Sequence, residues 1–383
     1  MAKCVAILAV LLSLTAGSPP ADAAVSDALA RGREAMERED WNAGIVWFGK
    51  ALEADSLCAE AYDGLGRTYL GMGVTGEAYG FLKRSLELRD AWETRLALGR
   101  LAFEIGRIDE AREHLTRVLA DHPRAIEALG TMGEIALEEN DVPSALRSFG
   151  AILEIEGRTE KSLTDLAVVY QHGGQFTKAV ELFAEAAGLA PGSLLAQYNL
   201  AVASAQAGKL HEALTAVNRA LEISPQDLAS LRFLGILYFE HDVCEEAVQA
   251  FQKVLTLDPL DMEVRIGLAS CHHALGDYEA AILELRTIVT LDRKNYDVLL
   301  LLTNILQEKG DFEEAAHFAR QAAAAAPDRP DAYYLLGLAY QELGRGAEAQ
   351  EAFHRLEEIR EQEAGVARSD SLGDPAGNGS LPR

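Results

Sequence analysis

The amino-acid sequence predicts an all-α solenoid of ten helix–turn–helix units, and three observations carry that expectation. A small residue recurs at Ala78, Ala111, Ala145, Ala179, Ala213, Ala247, Ala281, Ala315 and Ala349, every step being 34 residues except one of 33. Turn residues punctuate the same period: Gly73, Gly106, Gly174, Gly208, Gly276, Gly310 and Gly344 at mid-unit, and Pro123, Pro191, Pro225, Pro259 and Pro327 at unit ends. Between them, apolar residues keep helical spacing and break it twice per unit.

The stretch from Leu228 to Asp261 shows one unit whole. Leu231, Leu234 and Tyr238 share a helical face, His241-Asp242 breaks the period, and Ala247, Phe251, Val254 and Leu255 begin a second face that ends at Asp258-Pro259. Gly235 and Ala247 lack bulk where the two helices cross, so the backbones approach closely while Tyr238 and Phe251 fill the space beside them.

This unit resembles the tetratricopeptide repeat, whose signature sets Leu-Gly, Tyr, Ala, Phe and Pro at fixed intervals. Leu-Gly returns as Leu65-Gly66, Leu98-Gly99, Leu234-Gly235 and Leu336-Gly337, softened to Met132-Gly133, Leu166-Ala167, Leu200-Ala201, Leu268-Ala269 and Leu302-Thr303. The resemblance implies a right-handed superhelix whose concave face is lined by the first helix of each unit. A period sustained this long does not fit one irregular helical bundle.

Composition agrees with an array. The chain has 383 residues, and a solenoid of that length grows by adding neighbours rather than by dividing its core. Aromatics are 7% of it, as expected where Ala and Gly mediate packing. With 35 basic against 60 acidic residues, the net charge of −25 argues against a nucleic-acid or anionic-membrane surface.

Taken in order, residues 1–23 read as an export signal: Lys3, an apolar run from Cys4 to Leu14, then Pro19-Pro20 and the cleavage-type triplet Ala21-Asp22-Ala23. The run is too short to span a bilayer, which needs about 20 apolar residues. Cleavage removes Lys3 and Asp22 together and leaves the charge unchanged. The expectation is a soluble exported protein, periplasmic or secreted, with no stable membrane insertion after cleavage.

The solenoid is expected over 24–360. Its first unit, 25–58, is degenerate: Arg31 stands where later units place Leu, although Gly32, Phe48 and Ala51 keep the phase. An end unit has one face with no neighbour, so a charge there costs little. The second, 59–91, is one residue short, and Arg89-Asp90-Ala91 replaces the Asp-Pro closure, where a bend is expected. Units 92–125, 126–159, 160–193, 194–227, 228–261, 262–295, 296–329 and 330–360 follow. Beyond Arg360 the apolar period ends, and 361–383, rich in Ser, Asp, Gly, Pro and Asn, is expected to be a disordered tail. Asn378-Gly379-Ser380 matches a glycosylation acceptor, a triplet common by chance.

No motif of catalysis or cofactor binding stands out, so the chain is expected to be no enzyme and to carry no cofactor or metal. The adjacent His272 and His273 point about 100° apart on a helix, and His272 falls where other units put Tyr170, Tyr238 and Tyr340. Cys58, Cys244 and Cys271 follow no disulfide or metal spacing and read as small buried hydrophobes, with a Cys244–Cys271 bridge between adjacent units as the alternative.

What remains is the concave face that the resemblance implies. In the first three units the residue after the Leu-Gly glycine is basic, Arg33, Arg67 and Arg100, and a ladder of these would dock an anionic segment. The alternative is local neutralisation, since Asp63 lies four residues before Arg67. In the fifth to seventh units the same place is apolar, Val168, Val202 and Ile236, with Tyr198 and Phe239 one turn away. The Lys and Asn clamp of chaperone-binding relatives is not reproduced; Asn304 alone holds such a place. The resemblance therefore implies a scaffold or adaptor that binds a protein or peptide in its groove. The alternative is a non-catalytic accessory subunit of an envelope assembly machine for polysaccharide, pilus or cytochrome maturation.

Overall fold

In a computed structural model the described residues, 21–372, form twenty α-helices and no strand. They divide between two compact units, one ending at Pro191 and the other beginning at Gly192. The first holds α1 (Ala21–Glu37), α2 (Trp41–Ala54), α3 (Ala59–Gly71), α4 (Thr75–Leu88), α5 (Trp92–Glu104), α6 (Ile108–Asp121), α7 (Ile126–Glu138), α8 (Val142–Glu156), α9 (Glu160–His172) and α10 (Phe176–Leu189). The second holds α11 (Leu194–Gln206), α12 (Leu210–Ile223), α13 (Leu228–Glu240), α14 (Cys244–Leu257), α15 (Met262–Ala274), α16 (Tyr278–Leu291), α17 (Tyr296–Lys309), α18 (Phe312–Ala325), α19 (Pro330–Glu342) and α20 (Gly346–Leu372). Within each unit every helix packs chiefly on the helix before and the helix after it, so each is a stack of five hairpins.

Volume matching holds a hairpin together. A Cβ built on Gly32, Gly133, Gly235 or Gly337 would come within 2.4 to 2.6 Å of Phe48, Phe149, Phe251 or Phe353, the residue sixteen positions later on the second helix. In two hairpins where the first helix carries something larger than Gly, the partner is smaller than Phe. Ala201 shares its core cluster with Val217, and Thr303 shares its own with Ala319. Phe48 also reaches into the next hairpin, against Gly64, and Phe251 against Gly267. One ring thus couples two hairpins, the nearest-neighbour energetics expected of an array.

Mid-hairpin turns explain the glycines. All seven noted in the sequence take φ between 68° and 92°, and Glu39, Asn140 and Asp242 take positive φ too, 56° to 59°, in the three hairpins without one. An L-residue there costs roughly 1–2 kcal/mol, least for Asn and Asp, which is why Gly dominates. Several loops between hairpins end on polar caps: Asp227, Asp261 and Asn295 each accept the N–H three residues on, at the start of α13, α15 and α17.

The short step between the second and third hairpins has its own device. Arg95 stands where five other repeats bury Ala28, Leu129, Leu163, Leu231 or Leu299, and it is itself buried, 7% exposed. Asp90 in the shortened loop pairs with it at 2.6 Å, and His114 Nδ1 lies 3.4 Å from its Nη1. Burial, with Arg95 adding like charge, pushes the His114 imidazolium below its usual range. The end hairpin matches expectation: Arg31 is exposed, pairs with Asp27 and lies over Trp47.

At the termini, residues 1–20, most of the expected signal, lie outside the described residues, and Ala21-Asp22-Ala23 opens α1. The expected tail starts at 361, but α20 continues to Leu372. Glu361, Gln362, Glu363 and Ala364 are strong helix formers and prolong the backbone helix past the last apolar contact. Residues 373–383, with Asn378-Gly379-Ser380, lie outside the described residues. Cys58, Cys244 and Cys271 are free thiols. Cys244 packs beside buried Cys271, whose thiol is pushed up to about 12 by burial and by that neighbour.

Candidate interaction surface

First helices of successive hairpins also touch one another, α1 with α3 and α5 with α7 in one unit, α13 with α15 and α17 with α19 in the other. Second helices show no comparable approach among the described residues. Each stack therefore has an inner face of first helices. All eight residues singled out from the sequence belong to first helices: Arg33, Arg67, Arg100 and Val168 to α1, α3, α5 and α9, and Tyr198, Val202, Ile236 and Phe239 to α11 and α13.

The three arginines differ in their surroundings. Arg67 is neutralised locally, as one of the two sequence alternatives had it: its Nε donates to Asp63 at 2.7 Å and its Nη2 to the Glu93 carbonyl at 3.1 Å. Arg33 and Arg100 are exposed and form no ion pair among the described residues. Arg100 instead borders an open cavity of about 530 Å³, shared with Phe103, Ile126, Glu134, Lys161, Asp165 and Val168. Val168 is thus brought together with charges of both signs. Partial desolvation raises the Glu134 carboxyl above its usual range against the pull of Arg100, while Asp165, 3.1 Å from Lys161, holds that ammonium above its own.

In the second unit the inner face has an apolar zone with charged residues around it. Ile236 and Phe239 are 36% and 38% exposed and line a cavity of about 360 Å³ with Val264, Ile266, Gly267 and Ser270 of α15. Phe251 forms its floor. Tyr198 meets Phe233 edge-on at 5.7 Å, and Val202 is partly buried. Glu240, Glu263 and Arg232 complete the rim. Glu134 and Ser270 occupy the same register as Arg100 and Ile236, the residue after the small one, so reading that column through every unit would have found them. Glu240 and Glu263 had no such signal, since Glu is common on exposed faces.

Among the described residues no three His, Cys, Asp or Glu side chains are grouped to hold a metal ion, and no helix is long and apolar enough to cross a membrane.

Comparison with known proteins gives concordant matches. One tetratricopeptide repeat model matches residues 96–158 and 164–227, and a second matches 244–305, 274–328 and 306–368. The chain is 30% identical over 133 residues to the protein CTR9 homolog of Arabidopsis thaliana, an alignment of 33% of this chain that spans only 12% of that protein's length. Among solved structures, the C-terminal part of a TPR repeat-containing protein from Cytophaga hutchinsonii superposes with a TM-score of 0.54 at 14% identity, covering 63% of this chain and 99% of that one. The pilF structure of Pseudomonas aeruginosa gives 0.48 at 16% identity, over 56% and 98%.

Proposed function

The chain belongs to the tetratricopeptide repeat family, and on that premise we propose that it is an exported scaffold that binds a protein or peptide partner on the inner faces of its first helices and performs no reaction itself. The observation that carries this reading is the partly exposed pair Ile236 and Phe239 beside an open cavity on an inner face. Exposed apolar residues gathered in a concavity support recognition, because burying them on a partner recovers roughly 25 cal/mol per Å². Family and fold are generally those of non-catalytic scaffolds.

Export rests on the pattern at Met1 to Ala23, and the mature chain is proposed to start near Ala24. N-terminal sequencing of protein from the native host tests it. Intact Met1 on membrane-fraction protein would contradict it.

The binding reading is tested by tagged recovery from the native host, wild type beside Ile236→Ser/Phe239→Ser. Partners should be retained by the first and lost by the second at equal yield of folded protein. Assorted partners would mark an adaptor, and one fixed set an assembly subunit. Unchanged recovery by the double variant would overturn the inner-face reading.

A further inference from the structure

The second unit's inner face carries a charge pattern that narrows the partner. Each cation on its first helices from α11 to α17 has a carboxylate: Arg232 is paired with Asp261, Arg265 with Glu284, and Lys309 with Glu279 and Asp311. The imidazoles face acids too, His272 near Asp277 and His273 at Glu308. Helix α11 brings no charge of its own, and Asp297 on α17 is taken by Arg329. Two carboxylates are left over. Glu240 and Glu263, exposed on α13 and α15, form no ion pair among the described residues, and both line the cavity that Ile236 and Phe239 open onto.

We propose that this cavity receives a partner segment that is apolar and basic, seating one apolar side chain against Ile236 and Phe239 while neighbouring Lys or Arg residues reach Glu240 and Glu263. The reasoning is complementarity. A carboxylate at the rim is fully hydrated when the face is empty and is partly dehydrated when an apolar side chain fills the cavity beside it, so an acidic or neutral segment leaves it uncompensated. A basic neighbour supplies the missing charge. Arg232 offers an acidic segment less, because Asp261 behind it is 8% exposed and already neutralises its charge through Nη2. Phe239 adds a ring face on which a Lys or Arg stem packs. This assignment rests on the inner-face reading above and adds the sign of the partner.

Fluorescence anisotropy with the full chain tests it, using three labelled peptides of one length: Leu and Phe flanked by Lys and Arg, the same with Glu in place of each basic residue, and the basic peptide with Ser in place of each apolar one. The first should bind at least about tenfold more tightly than the other two. Glu240→Gln/Glu263→Gln should remove most of that preference and flatten its salt dependence, with an unchanged helical spectrum because both sites are exposed. If the acidic apolar peptide binds as well as the basic one, the charge assignment falls and the groove reading stands. If Phe239→Ser leaves peptide binding unchanged, the binding lies elsewhere and the groove reading falls with it. If none of the three binds, the proposed class of segment is wrong.

Discussion

The ring of Phe251 fills the space that a side chain on Gly235 would need: a Cβ there would come within 2.4 Å of Phe251 Cε1. Phe251 is 2% exposed and also abuts Gly267, so it cannot swing away without disturbing the next hairpin. Gly235→Ala is therefore expected to destabilise the protein by about 1–3 kcal/mol despite the better helix propensity of Ala. Combining it with Phe251→Leu should give less than the sum of the two single losses. Thermal melts of the four proteins check this, and a neutral Gly235→Ala would mean the crossing is looser than described.

Arg67 and Arg100 hold the same register in successive units yet should respond differently to removal. Arg67→Ala loses two hydrogen bonds, to Asp63 and to the Glu93 carbonyl, one of which ties adjacent hairpins. A loss of about 0.5–1 kcal/mol is expected for this partly exposed group. Arg33→Ala and Arg100→Ala should stay within about 0.5 kcal/mol of wild type. Partner binding that falls on loss of Arg33 or Arg100 at unchanged melting temperature would assign them to recognition.

Ending the chain at Asp328 removes α19 and α20 and uncovers the cluster in which Leu336, Ala339 and Tyr340 pack on α17 and α18. Nearest-neighbour coupling predicts a shorter array that keeps the helical signal of the remaining helices and melts somewhat lower. Loss of the whole signal would reveal a single cooperative globule.

The Cys271 thiol, pushed up to about 12 from about 9 by burial and by Cys244, stays protonated in the folded protein at pH 8. The nucleophile in alkylation is the thiolate, so iodoacetamide should leave Cys271 unmodified until the chain is unfolded. Because the folded value lies above the unfolded one, its contribution to stability is whole below about pH 9 and is lost as pH rises toward 12. Peptide mapping after labelling checks the first statement, and rapid modification of the native protein would refute it.

Much of this was legible in the sequence because the repeat is enforced by volume. The Ala column, the mid-turn glycines and the Phe partners each answer a steric demand that recurs every 34 residues, so they print the same period. Arg95 was not legible. Its burial depends on Asp90 in the shortened loop and on His114 from the second helix of its own hairpin, neither of which marks Arg95 as buried in the sequence. The groove charges were half legible for a similar reason: Arg67 shows its Asp63 partner at helical spacing, whereas the leftover state of Glu240 and Glu263 depends on the neighbouring first-helix cations Arg232 and Arg265 being held by Asp261 and Glu284.

The central claim is that partners are held on the inner face of the first helices. Site-specific photo-crosslinking tests it most directly, with p-benzoylphenylalanine replacing Phe239 on α13 in one protein and exposed Gln252 on α14 in another, both expressed in the native host. Partner adducts at position 239 and none at 252 are predicted. Adducts at 252 with none at 239 would place recognition on the second helices and contradict the account.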